Sequence, residues 1–163
     1  MEIVPIDKIP TEGEIVETPT DDLLKLYKTC QEMTDLCRKS NGIGLAAPQV
    51  GIPWRLFVMK NADENWEFLV NCEYTPIGDE KAVSIEGCLS LRREGKLRTF
   101  RVERWKKVLL EGKILQDNSK GKLELLDLSY ETHPNIYNVI YQHETDHTRS
   151  ILISDIGEEI ELR

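Results

Sequence analysis

The chain has 163 residues, 40% of them hydrophobic and 31% charged, with a formal net charge of −8. That length suits one domain, residues 1–163, around one core, and no apolar run approaches the roughly 20 residues of a transmembrane helix. The acidic balance argues against a nucleic-acid footprint, which needs clustered Lys and Arg; the stretch LRREGKLRTFRVERWKK is a local basic exception, expected to be a solvated hairpin, with contact to an anionic group as the alternative.

In chain order, MEIVPIDKIP has no basic stretch followed by an apolar run, so no signal peptide is expected. TPTDDLLKLYKTCQEMTDLCRKSNG predicts a helix capped by Thr20, with Asp21 and Asp22 at its positive end and Asn41 and Gly42 closing it. Leu23, Tyr27, Cys30, Met33 or Thr34, and Cys37 recur at helical spacing along its core face. WRLFVMK and WEFLVN flank NADEN as a hairpin; EYTPIGDE reads as a loop and KAVSI as the next strand. KVLLEGKIL and KLELLDL flank QDNSKG as a second hairpin. HPNIYNVIYQHETDHTRS is the last clear helix, with Pro134 in its first turn. ILISD is expected as a closing strand. A helix, a run of strands and a second helix make an α+β domain.

The four cysteines, Cys30, Cys37, Cys72 and Cys88, match no zinc-ribbon spacing. A reducing compartment without disulfides is expected, with the first three as buried apolar groups.

HETDH, residues 143–147, carries the chemistry. Two histidines four apart lie on one helix face and can grip one metal ion. They continue the stripe Ile136, Val139 and Ile140, whereas the opposite side, with Asn138, Tyr141, Thr145 and Thr148, is only half apolar. The pattern also fits an ordinary ion-paired exposed helix. A zinc endopeptidase would take its next ligand downstream, where the chain offers no histidine and only Glu158, Glu159 and Glu161. Cys88 in SIEGCLSL, after a glycine at the end of a strand, is the better third ligand. A Cys-His-His set suits a borderline or soft divalent ion with an open fourth position. A buried core thiol is the alternative for Cys88, and a thiol nucleophile with a histidine base is a further reading. GIGLAAPQVG, residues 42–51, is a small-residue loop with no Lys-Ser or Lys-Thr to make it a phosphate cradle.

Together, GIGLAAPQ (42–49), EGCLS (86–90) and HETDH (143–147) resemble, in this order, the three signature stretches of the peptide deformylases. The resemblance runs from about residue 5 to residue 156. It implies antiparallel strands packed around a central metal-binding helix. It further implies removal of the formyl group from N-formylmethionine at the start of nascent chains in the cytoplasm, with release of formate. Carried over by motif, Cys88, His143 and His147 hold one divalent metal, Fe(II) natively, with zinc, nickel or cobalt able to replace it. Glu144 moves the proton. Gln49 and the backbone N–H of Leu89 face the oxyanion. Gly44 offers its strand edge to the peptide, and Ile43, Ile136 and Val139 wall the methionine side chain or are plain core. A non-catalytic formyl-peptide binder remains an alternative, although such a protein needs neither Glu144 nor Gln49. VERWKKV resembles a V-x-R segment of the family and suggests an ion pair between Arg104 and Asp146. Departures are Thr145 where the family is apolar, TRS after His147, and a C-terminal segment too short and acidic for the long helix of bacterial relatives. The last predicts weak ribosome association through that segment.

Overall fold

The computed structural model describes residues 1–162. A five-stranded antiparallel sheet, ordered β1-β2-β3-β6-β7, is built from β1 (Gly44–Ala46), β2 (Leu56–Lys60), β3 (Trp66–Pro76), β6 (Val108–Asp117) and β7 (Leu123–Glu131). A smaller antiparallel sheet, β4-β5-β8, is built from β4 (Lys81–Arg93), β5 (Lys96–Trp105) and β8 (Glu158–Ile160). The helices are α1 (Leu23–Lys39), α2 (Ile136–His147) and the single turn α3 (Ile153–Ile156).

Strand β2 shows why the layers stack. Its first four residues are all buried, because alternate side chains enter two different cores. Leu56 and Val58 join Leu26, Cys30, Met33 and Cys37 of α1 on one face. Phe57 and Met59 join Ile140 and Tyr141 of α2 on the other. Each such side chain contributes about 1.5–3 kcal/mol through its burial.

The small sheet meets α2 through polar side chains: Glu86 of β4 and Arg104 of β5 bond to His143 and Asp146. Gln142 and Asn138 bond to the backbone of Trp105. Helix α2 is therefore buried on nearly every side, nine of its twelve residues among them. The expected half-apolar outer side is buried too: Asn138 is satisfied by Thr132 and Trp105, while the Thr145 hydroxyl has no hydrogen-bond partner among the described residues.

Several boundaries differ from the sequence expectation. Asp22, not Thr20, caps α1, its Oδ1 accepting from Lys25 N at 3.0 Å. The helix ends at Lys39, and Asn41 takes a left-handed φ of 57°. Asn135 caps α2 by accepting from Tyr137 and Asn138, so Pro134 lies before the helix. EYTP belongs to β3, whose pairing with β6 continues to Pro76 after an irregularity between Val70 and Glu73. ILISD is not a strand: its Ile153 opens α3, because Asp155 caps the backbone N–H of Leu152, and β8 closes the small sheet instead. The basic stretch is the β4–β5 hairpin, as expected, with Glu94 and Gly95 at positive φ in its turn.

Candidate metal centre

Three elements deliver the site. Helix α2 brings His143 and His147 one turn apart, with ring centroids 4.7 Å from each other. Strand β4 brings Cys88 from its interior, not its end. The β4–β5 register stops at Gly87 and resumes at Arg92, so Cys88 stands where the ladder becomes irregular. Segment 42–51 brings Gly44 on β1 and Gln49 on a following turn of 3-10 helix, where a loop was expected.

Donor atoms of Cys88, His143 and His147 all lie within 4.8 Å of one another, and all three residues are buried. Their orientations are fixed from behind. The Nδ1 of His143 meets Glu86 Oε1 at 2.7 Å, and the Nδ1 of His147 meets the Ile151 carbonyl at 3.1 Å. A carboxylate and a carbonyl only accept, so both Nδ1 atoms carry the proton and both Nε2 atoms are left as donors of a lone pair. The Nε2 of His147 stands 3.5 Å from Cys88 Sγ. One thiol sulfur and two imidazole nitrogens converging on one point fit a borderline divalent cation.

Charge around the set favours a cation. Burial alone would raise the Glu86 carboxyl, but hydrogen bonds from Arg104 and His143 outweigh it and hold it at about 2. Burial alone would lower His143, yet hydrogen bonds to Cys88 and Glu86 push it up to about 10. His147 is driven well below its ordinary value by burial and by the His143 charge. Cys88 and Glu86, on either side of His143, thus make the surroundings of the donor set favourable to positive charge.

Behind it runs a buried chain of charges. Arg104 grips Glu86 through Nε and Nη2 at 2.9 and 2.8 Å, and donates Nη1 to Asp146 Oδ2 at 2.6 Å. The Arg104–Asp146 pair expected from the sequence is therefore present. Asp146 also accepts from the Tyr74 hydroxyl at 2.8 Å. Glu86 lies within EGCLS, and its spacing of two from Cys88 on a strand is the signal that both side chains share a face. Tyr74 has no such signal.

Beside the donor set, Glu144 is buried, and its Oε2 has no hydrogen-bond partner among the described residues. Burial pushes its carboxyl up to about 7, against the pull of the His143 and Arg104 charges. Gly44 packs against it: a Cβ there would stand 2.5 Å from Glu144 Oε1. Gln49 accepts from Ala46 N at 2.9 Å, which turns its amide nitrogen toward Ser90 Oγ at 3.0 Å and Cys88 Sγ at 3.4 Å. A cavity of about 460 Å³ opens over this group, lined by Ile43, Gly44, Gln49, Cys88, Leu89, Ile136, Val139, His143 and Glu144. All the residues expected from the sequence are thereby brought together. Ile136 and Ile43 are 59% and 47% exposed, so they stand at the cavity mouth and are not core. Strand β1 is an edge of its sheet and β4 an edge of the other, and both border the cavity.

Residues 7–161 match the family model described as polypeptide deformylase. The chain belongs to the peptide deformylase family. Its members are metal-dependent hydrolases that remove the N-formyl group from nascent polypeptides. The chain is 33% identical over 164 residues to the peptide deformylase of Thermodesulfovibrio yellowstonii, covering 95% of this chain and 89% of that one. It is 39% identical over 89 residues to that of Chromohalobacter salexigens, a match spanning 53% of this chain and 51% of the relative. The fold is similar to that of a probable peptide deformylase from Synechococcus phage S-SSM7, with a TM-score of 0.70 and 27% identity over 95% of this chain and 98% of that chain.

Proposed function

We propose that the chain acts as a single deformylase domain on formylmethionyl nascent peptides, with Cys88, His143 and His147 holding one divalent ion. The observation that carries this reading is the convergence of those three donors within 4.8 Å beside an unpartnered Glu144 oxygen. Ferrous iron is proposed as the ion in the cell, with zinc, nickel or cobalt able to replace it; thiolate and imidazole suit each of them. When bound, the ion supplies Lewis acidity, which polarises the formyl carbonyl and acidifies water near neutrality.

The side chains do the rest. An extended peptide docks beside the β1 edge at Gly44, adding a strand, and its methionine side chain lies among Ile43, Ile136 and Val139. Glu144 accepts a proton from the attacking water and returns it to the departing amine, so formamide and water become formate and amine. The Nε2 of Gln49 and the backbone N–H of Leu89 donate to the oxyanion that forms. Glu86 and Ile151 hold the two imidazoles in the ligating tautomer.

Work in the cytoplasm, where nascent chains emerge, fits this substrate. Among the described residues no helix is long and apolar enough to cross a membrane. Ribosome association is proposed to be weak: with a net charge of −8, the basic β4–β5 hairpin has Arg93 and Arg98 already tied to Glu159. The same pairing also ties up the Glu159 carboxylate.

Elemental analysis of anaerobically purified Cys88→Ala tests the ligand set. Loss of both metal and activity is expected, since two histidines make a poor site; full metal occupancy removes Cys88 from it.

A further inference from the structure

A second cavity, of about 370 Å³, lies against the side of α2 that faces away from the metal ligands, and shares no lining residue with the first. Its walls include Tyr130, His133, Tyr137 and Tyr141, and its acidic groups are Asp63 and Glu67. Among the described residues no Lys or Arg lines it.

Glu67 is the informative residue. It is half-buried on β3, and its carboxylate is held in place by two neutral donors: the Tyr141 hydroxyl at 2.9 Å and the Asn61 amide at 3.2 Å. Asn61 is itself locked, its Oδ1 accepting from the backbone of Asp63 and Asn65. Among the described residues Glu67 has no cationic partner. Taking a carboxylate partly out of water is costly unless a positive charge is brought to it. The rings around it are walls and not a stack: Tyr130 stands 6.0 Å from Tyr141 at 63° and 6.4 Å from His133 at 77°. Aromatic faces set around an anion attract cations through their quadrupoles.

We propose that this cavity binds an organic cation, an ammonium or guanidinium group borne by a protein side chain or by a free polyamine. The alternative, that Glu67 merely satisfies the Tyr141 hydroxyl, needs one oxygen and no open cavity. It leaves the cluster of Tyr130, His133, Tyr137 and Tyr141 around an acidic cavity without a purpose.

The test is an aromatic NMR titration of the metal-loaded protein with n-butylammonium and n-butylguanidinium, with 1-butanol as the neutral control. Saturable shifts of the Tyr130 and Tyr141 signals are expected with the cations only. Glu67→Gln keeps the shape and a Tyr141 acceptor, and is expected to weaken cation binding at least about tenfold; Tyr130→Leu is expected to weaken it without altering formate release. Butanol shifting the signals as far as the cations, or Glu67→Gln binding them as tightly as the parent, overturns the proposal. Spermidine compared with a lysine-bearing peptide assigns the source: whichever binds tighter is the carrier of the cation.

Discussion

His143 donates its Nδ1–H to Glu86 across 2.7 Å, and Glu86 in turn is gripped by the Nε and Nη2 of the Arg104 guanidinium. The bond fixes the imidazole tautomer and its aim, so the candidate metal site extends beyond its three donors. Removing such a supporting carboxylate typically costs 10–100-fold in metal affinity or activity. Glu86→Ala is therefore expected to weaken metal binding by roughly that factor, read by chelator competition. Unchanged affinity means the histidine is oriented by packing alone.

Gly44 is needed for what it lacks. A methyl at this position would meet the Glu144 carboxylate at 2.5 Å, with the rest of that side chain close behind. Gly44→Ala is expected to displace Glu144 and lower turnover on the order of 10²-fold, with metal content retained. Steady-state kinetics beside elemental analysis decides; normal turnover means Glu144 can move without cost.

Thr145 departs from the apolar residue of the resembling family, and α2 passes through it unbroken. Its hydroxyl is buried without a hydrogen-bond partner among the described residues, a cost of about 1–3 kcal/mol. Thr145→Val is expected to raise stability by about 1 kcal/mol or more in denaturant unfolding. Destabilisation instead means the hydroxyl finds a partner.

Tyr74→Phe removes one of two partners of the buried Asp146 carboxylate, and hydrogen bonds to charged groups contribute about 1.5–3 kcal/mol. A loss of that order is expected, read from the denaturation midpoint. No loss means that water replaces the phenol.

The candidate donor set was legible because each member sits in a short segment with its own signal: a spacing of four on a helix for His143 and His147, a Gly-flanked strand for Cys88. The Arg104–Asp146 pair was legible only through family resemblance, since 42 residues separate its members. Tyr74 lies 72 residues from Asp146, and no local pattern joins them. Element type was read well where periodicity ran long, as in α1 and the two hairpins. It failed at ILISD, where one aspartate side chain caps a single helical turn, and at EYTP, where an irregular strand hides the alternation. The polar faces of α2 read as half-exposed because sequence cannot show that a second sheet covers them.

Formate release from formyl-Met-Ala-Ser by anaerobically purified, metal-replete protein tests the central claim most directly. One formate per free methionyl amine formed is expected, abolished by chelation and lowered roughly 10²–10⁴-fold in Glu144→Gln, which is expected to keep its metal. No formate from protein with a full metal complement, or near-parental release by Glu144→Gln, contradicts the account.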